Sequence, residues 1–162
     1  MKSSIFILLA ASVLQFSLSS APAFSADSTA SILVGSWRLD SWINANGSSR
    51  CGASDGEASG QIIYSADGHM SAQLGCGDVV IDTAADLSGQ QLAGRMNRRH
   101  ISYYGEFSVD EAAKTVTHYV KGSSILNGYV GSNQVRSYNL ETNDRLTLQP
   151  PGGAKLTWLR NR

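Results

Sequence analysis

Apolar and polar residues alternate along most of the chain beyond its first 30 or so positions. A period of two residues is typical of strands with one buried face. The pattern predicts eight strands, at about 36–43, 60–65, 69–74, 100–109, 114–121, 132–140, 144–149 and 154–160. Turn-forming residues separate several of them, as in Ala66-Asp67-Gly68 and Pro150-Pro151-Gly152-Gly153. One stretch, 83–97 (TAADLSGQQLAGRMN), is a helix candidate between strands three and four.

Eight consecutive short strands predict an antiparallel meander, and eight is the number that closes a small barrel. The tight turns propose opposite residues that share a face. These pairs are Tyr64 with Met70, Phe107 with Val116, Leu140 with Leu146, and Leu148 with Leu156. All are apolar or aromatic on both sides. The predicted fold is therefore all-β: an eight-stranded antiparallel up-and-down β-barrel with one short helix in the loop between strands three and four.

The connections differ in length between the two ends of this barrel. Those at 66–68, 110–113 and 141–143 are tight, whereas those at 44–59, 75–99 and 122–131 are long. The barrel is thus expected to be a cup, with a floor at the tight turns and a mouth at the long loops. Closing it places Trp37 opposite Arg160 at the floor, where a cation–π contact is predicted.

The N-terminus, residues 1–26, has the pattern of a secretory signal. Lys2 precedes an apolar run from Ile5 to Leu18, and small residues follow up to Ala26. The run is too short to span a bilayer, which takes about 20 residues. We therefore expect residues 27–162 to form the barrel domain of a periplasmic or secreted protein, with no stable membrane insertion after the signal is removed.

The only two cysteines are Cys51 and Cys76. An exported chain meets an oxidising environment, where two cysteines commonly pair. Cys51 falls in the first mouth loop, and Cys76 falls where strand three reaches the mouth. The sequence therefore predicts a disulfide at the mouth.

Charge and motifs exclude several function classes. The chain carries 13 basic and 13 acidic side chains, without the basic excess typical of nucleic-acid binding. Its three histidines lack metal-ligand spacing, and no nucleophile, phosphate-loop or nucleotide motif is present. We therefore expect no metal and no cofactor.

His118 is the main candidate for chemistry, because its parity places it inward at mid depth. Gln134 and Arg136 face it across the next hairpin, and Gly105 on the other side leaves room beside it. An arginine fork suits a carboxylate, and a histidine can move a proton. The same groups can equally form a structural network of buried hydrogen bonds. The sequence alone does not decide between these two interpretations.

Three tyrosines, Tyr64, Tyr103 and Tyr138, also point inward by parity. Their rings can line a pocket for a flat apolar ligand, with the hydroxyls orienting it. Core filling is the simpler interpretation for each one alone. Trp42 has outward parity near the mouth, which predicts a surface or loop contact.

The sequence resembles the lipocalin-like domain proteins of bacteria and fungi over essentially all of 33–161. The resemblance rests on Gly35-x-Trp37 opening the first strand, on an arginine in the last strand, and on GQIIYSADGHMSAQL, ISYYGEFSVD, THYVKGS, GSNQVRSYNL, DRLTL and LTWLR. It implies an eight-stranded barrel with an internal cavity, in a family largely without assigned activity, some of whose members occur in small-molecule biosynthesis. The insert 50–59 and Cys76-Gly77-Asp78 depart from the usual pattern at the mouth, so ligand choice does not carry over.

These observations lead to one function hypothesis and two alternatives. The first is an exported barrel that binds a small, mostly apolar molecule in its cavity, optionally with one acidic or carbonyl group. One alternative is an isomerase or cyclase that acts through His118 and Arg136. The other is a protein-binding or inhibitor module that uses the long mouth loops. The sequence does not indicate an oligomeric state.

Overall fold

The computed structural model describes residues 28–52, 57–77, 100–124 and 128–162. The expected signal segment and the helix candidate at 83–97 lie outside these ranges. The described part contains one short helix, α1 (Thr29–Leu33), and eight strands. The strands are β1 (Gly35–Ile43), β2 (Ala58–Tyr64), β3 (His69–Cys76), β4 (His100–Asp110), β5 (Thr115–Ser123), β6 (Asn133–Thr142), β7 (Arg145–Gln149) and β8 (Lys155–Arg160).

The strands form a closed barrel in which each pairs antiparallel with the next and β8 returns to β1. The predicted up-and-down barrel is therefore confirmed. The sequence did not predict α1, which lies before β1 and begins after the N-cap Ser28. Among the described residues, no helix is long and apolar enough to cross a membrane.

The inner face follows the predicted parity. The pairs Tyr64–Met70, Leu140–Leu146 and Leu148–Leu156 are confirmed. The pair Phe107–Val116 is wrong: His118 lies opposite Phe107, and Val116 lies opposite Val109. The β4–β5 turn has the predicted four residues but lies one position later, at 111–114, and ends at Lys114, whose φ is +53°. This shifts the register by two residues and leaves every side chain on its predicted face.

Gly105 has a different role from the one that parity suggested. It pairs with Val120 beside a bulge in the β4–β5 ladder, not with His118. A Cβ atom there would lie 1.9 Å from the Tyr119 carbonyl oxygen. The missing side chain thus makes room for the neighbouring backbone at the bulge, a common use of glycine in strands.

A second bulge overturns the outward facing predicted for Trp42, although the predicted loop contact is present. The β1–β8 register shifts between Leu39 and Ser41, so Trp42 pairs with the buried Leu156. One extra residue in a strand reverses the facing of everything beyond it. Trp42 is therefore half-buried against the core, and the Arg50 guanidinium lies 5.4 Å from its ring.

The floor of the barrel is closed by a contact between its first and last strands. Arg160 lies opposite Trp37, with its guanidinium carbon 4.1 Å from the indole ring, as predicted. The same guanidinium donates hydrogen bonds to the carbonyls of Ile32 and Val34 at the end of α1. The Trp37 indole N–H donates to the Leu33 carbonyl at 2.8 Å. These bonds fasten α1 beneath the barrel.

This arrangement explains the glycine two residues before Trp37. Gly35 has φ of +131°, a conformation that favours glycine. A Cβ atom at Gly35 would also lie 2.7 Å from Nη1 of Arg160. The Gly-x-Trp opening is thus the local sequence required for an arginine to stack on the tryptophan.

We predict that Arg160→Met destabilises the protein by about 2 kcal/mol, because a cation–π contact and charge-assisted hydrogen bonds are lost. Urea unfolding measures the change. The control is Arg162→Met, which removes an 85 % exposed arginine that pairs with the same Asp144. Equal stability of the two variants would show that the floor contact contributes nothing.

The predicted disulfide is present. Cys51 and Cys76 are bonded, and their Cα atoms lie 5.3 Å apart. Both half-cystines are buried, although they lie at the mouth. The bond ties the segment that follows β1 to the last residue of β3.

Candidate ligand site

His118 is the centre of a polar cluster inside the barrel. Its side chain is fully buried on the inner face of β5, between Val116 and Val120. Both ring nitrogens have tyrosine partners. The Tyr64 hydroxyl lies 2.8 Å from Nε2, and the Tyr103 hydroxyl lies 3.1 Å from Nδ1. The structure thus joins three side chains that the sequence predicted only to share a face.

The two tyrosines approach His118 from different strands, β2 and β4, and from different depths. Tyr64 is the last residue of β2, close to the floor, and its ring packs on Phe107 at 4.7 Å between centroids. Tyr103 is on the mouth side of β4, opposite Ala72. The hydrogen-bonded row Tyr64–His118–Tyr103 therefore runs along the barrel interior, from the floor towards the mouth.

Arg136 completes the cluster from β6, where its backbone pairs with Val116. It is half-buried on β6, and its Nη2 donates to the Tyr129 hydroxyl at 3.1 Å. Its Nη1 donates to the Val135 carbonyl at 3.1 Å and makes a long contact of 3.5 Å with Oε1 of Gln134. No carboxylate of the described residues forms an ion pair with Arg136, in contrast to Arg145, Arg160 and Arg162.

Gln134 and Tyr129 both contact the Arg136 guanidinium. Gln134 lies opposite His118 in the β5–β6 ladder, and its amide donates to Oγ of Ser132 at 2.8 Å. Tyr129 comes from the turn before β6 and meets the Tyr103 ring edge-on at 5.5 Å. Tyr129 was not predicted, because the alternation of facing along a strand does not extend to a loop. An aromatic residue beside two turn glycines, Gly128 and Gly131, was the available signal.

Burial and one positive charge set the protonation of the cluster. Burial, reinforced by the Arg136 charge, lowers the pKa of His118 to about 3. Burial also raises the pKa of the Tyr64 and Tyr103 hydroxyls, and the positive charge of nearby Arg136 partly offsets that rise. At neutral pH the imidazole and both phenols are therefore uncharged. The guanidinium is the positive charge that this neutral group faces.

Tyr138 lies apart from this cluster. It is buried opposite Leu148, and the described contact of its ring is with Lys114, whose Nζ is 5.9 Å away. Its hydroxyl has no hydrogen-bond partner among the described residues. The structure therefore brings together Tyr64, Tyr103, His118, Gln134 and Arg136, while Tyr138 lines another part of the interior. Its predicted role in ligand binding stays a prediction.

The described residues offer little for metal chemistry. Within those ranges, no three histidine, cysteine, aspartate or glutamate side chains are grouped closely enough to hold a metal ion. The polar cluster itself consists of phenols, an imidazole, an amide and a guanidinium. Such side chains can donate hydrogen bonds to an organic ligand and accept hydrogen bonds from it.

Several solved structures align with this chain at low sequence identity. A lipocalin-like protein from Bacteroides uniformis aligns with a TM-score of 0.50 at 14% identity, over 80% of this chain and 99% of its own. An uncharacterized protein from Bacteroides eggerthii gives 0.48 at 10% identity, over 80% and 99%. A protein from Burkholderia xenovorans gives 0.43 at 15% identity, over 91% and 95%. At such identities the likeness concerns the fold alone.

Sequence comparison supplies the family. No curated protein matches this sequence significantly. The model of the lipocalin-like domain family matches residues 34–161, which include every strand of the barrel and the polar cluster within it. The chain therefore belongs to the lipocalin-like domain family.

Proposed function

We propose that this protein binds a small, mostly apolar molecule inside the barrel, with the polar end of that molecule at Arg136. The observation that carries the proposal is the half-buried Arg136 guanidinium, whose partners among the described residues are all neutral and include no carboxylate. An unpaired charge in such a place is costly. A ligand that carries an oxygen group offsets that cost.

The other inward residues suit the apolar part of such a ligand. The inner face is lined by aliphatic and aromatic side chains, among them Leu39, Ile62, Met70, Leu74, Val120 and Leu156. Ligand pockets generally combine an apolar lining with a few polar groups that fix orientation. The lipocalin-like fold, a barrel able to enclose one small ligand, supports the same proposal.

We also propose that the protein works in the periplasm or outside the cell. The N-terminal segment 1–26 has the pattern of a signal peptide, and the Cys51–Cys76 disulfide is compatible with an oxidising compartment. Fractionation of cells that express the full chain, with mass measurement of the exported form, tests this. Retention of residues 1–26 on a cytoplasmic protein would contradict it.

The test of the binding proposal begins with native mass spectrometry of protein purified from its own host, to find a retained molecule. Its affinity is then measured for two variants. Arg136→Met should weaken binding by about 1.5–3 kcal/mol, the range for hydrogen bonds to charged groups. Arg145→Met is the control, because Arg145 lies on the outside with Asp40 and Glu141. Equal affinity of both variants would place the site elsewhere.

One observation favours a second candidate, an isomerase or cyclase. A neutral imidazole held between two phenols is a continuous path for a proton. Because both nitrogens of His118 are engaged, a substrate would meet Tyr103 or Arg136 first. In an enzyme, His118→Gln should leave binding nearly intact and lower turnover about 100-fold or more. In a binding protein, the same change leaves no turnover to lose and costs little affinity.

The alternative of a protein-binding module remains a hypothesis. It depends on the long mouth loops, and residues 53–56, 78–99 and 125–127 of these loops lie outside the described ranges.

A further inference from the structure

The polar cluster contains one more donor hydrogen than its internal bonds can use. The two phenols carry one hydroxyl hydrogen each, and the neutral imidazole carries one N–H. Two hydrogen bonds connect these three groups, Tyr64–His118 and His118–Tyr103. One hydrogen is therefore left over. It points away from these three side chains, towards an acceptor that is not one of them.

Depth and distance identify which group holds this extra hydrogen. Tyr64 is 1% exposed and packs on Phe107, and His118 is its hydrogen-bond partner among the described residues. If Tyr64 accepted from Nε2–H, its own hydrogen would be buried without an acceptor, which is unfavourable. The distances agree: 2.8 Å suits an O–H donor and 3.1 Å suits an N–H donor. Tyr64 thus donates to Nε2, and Nδ1–H donates to Tyr103.

Tyr103 is therefore left with its hydroxyl hydrogen free to turn from His118 towards the mouth. On that side lie the Arg136 guanidinium and the edge of the Tyr129 ring. Arginine has only donors, so it cannot accept this hydrogen. If the Tyr129 hydroxyl accepts it, then the hydrogen of Tyr129 becomes the extra one in nearly the same place. In either case, one donor hydrogen and one positive charge lie close together, and no described carboxylate pairs with them.

We propose that the Tyr103 hydroxyl and Arg136 together form an oxyanion site, and that the ligand is a small apolar molecule ending in a carboxylate or another singly charged oxygen group. This rests on the binding function proposed above and narrows its ligand class. A carboxylate supplies acceptors only, which matches a point where donors converge. A primary amide has no negative charge to pair with Arg136, and an ammonium group adds a second positive charge.

The experiment compares matched probes in the parent protein at neutral pH. The probes are 2-naphthoate and decanoate, each with its primary amide and its primary amine of equal length. We expect each bound carboxylate to bind about 10-fold or more tightly than its amide. Tyr103→Phe should bring that preference below about threefold. Tyr119→Phe is the control: it removes an exposed tyrosine hydroxyl of β5 that contacts Oγ of Ser108, outside the cluster, so the preference should persist.

The outcomes separate this inference from the binding function. If amides bind as well as carboxylates, or if Tyr103→Phe leaves the preference unchanged, then the oxyanion site is wrong while interior binding stands. If no probe binds below about 1 mM, both proposals fail. A measurement without any ligand adds a further check. Nitrogen-15 NMR should find His118 as the Nδ1–H tautomer, and the Nε2–H tautomer would overturn the assigned hydrogen directions.

Discussion

Acidification from pH 7 to pH 4 is expected to remove about 3 kcal/mol of folding stability through His118 alone. The pKa of this imidazole is about 3 in the folded protein, against 6.5 for an unperturbed histidine. Between these values the unfolded chain binds a proton that the folded barrel excludes. The stabilising contribution is therefore complete above about pH 6.5. It is lost as the pH falls towards 3, at about 1.4 kcal/mol per pH unit.

Urea unfolding at several pH values measures this loss, and His118→Gln isolates it. The variant is expected to be less stable at pH 7, because glutamine replaces only part of the hydrogen bonding. It should nevertheless lose about 3 kcal/mol less than the parent between pH 7 and pH 4. His69→Gln is the matched control, since it makes the same substitution at an exposed histidine of the β2–β3 turn. Identical slopes for parent and His118→Gln would contradict the burial of a neutral imidazole.

Removing the disulfide is expected to cost a similar amount. Cys51 and Cys76 are 25 residues apart, and closing a loop of that length contributes about 3.5 kcal/mol in the chain-entropy model. The double variant Cys51→Ser, Cys76→Ser should be less stable by that order in urea. Because the bond lies at the mouth and the Trp37–Arg160 contact lies at the floor, the two losses should add.

Chemical reduction supplies the control for this prediction. The parent protein in a strong reductant should become as unstable as the double variant, without any substitution to perturb packing. If the reduced parent unfolds at the same urea concentration as the oxidised protein, then the disulfide does not restrict the conformations of the unfolded chain.

Much of the fold was predictable, because the period of two extends over nearly every strand. Each strand bound differs from the prediction by at most two residues. The contact between Trp37 and Arg160 followed from closing the barrel. These features depend on alternation and on tight turns, both of which are local properties of the sequence.

The wrong predictions share one physical cause, which is irregular backbone geometry. Trp42 faces the core because a bulge in β1 reverses the facing beyond Asp40. His118 meets Phe107 because the β4–β5 turn extends to Lys114. A bulge or a displaced turn depends on hydrogen bonding between strands, which periodicity does not reveal. The helix α1 was missed because five residues are too few to show a helical period.

The site was predictable as a set of residues and not as a network. Parity placed His118, Arg136 and Gln134 on the inner face. It did not reveal that both imidazole nitrogens are occupied by tyrosines, or that Tyr129 reaches in from a turn. Those contacts depend on the depth of each side chain and on the path of a loop, which are set by tertiary structure.

A crystal structure of the protein purified from its own host, with its retained molecule, would test the central claim most directly. We predict a small molecule inside the barrel, with an oxygen group within hydrogen-bonding distance of Arg136 and the Tyr103 hydroxyl and with its apolar part along the inner face. A molecule bound outside the barrel, or an interior filled by side chains around Arg136, would contradict the account.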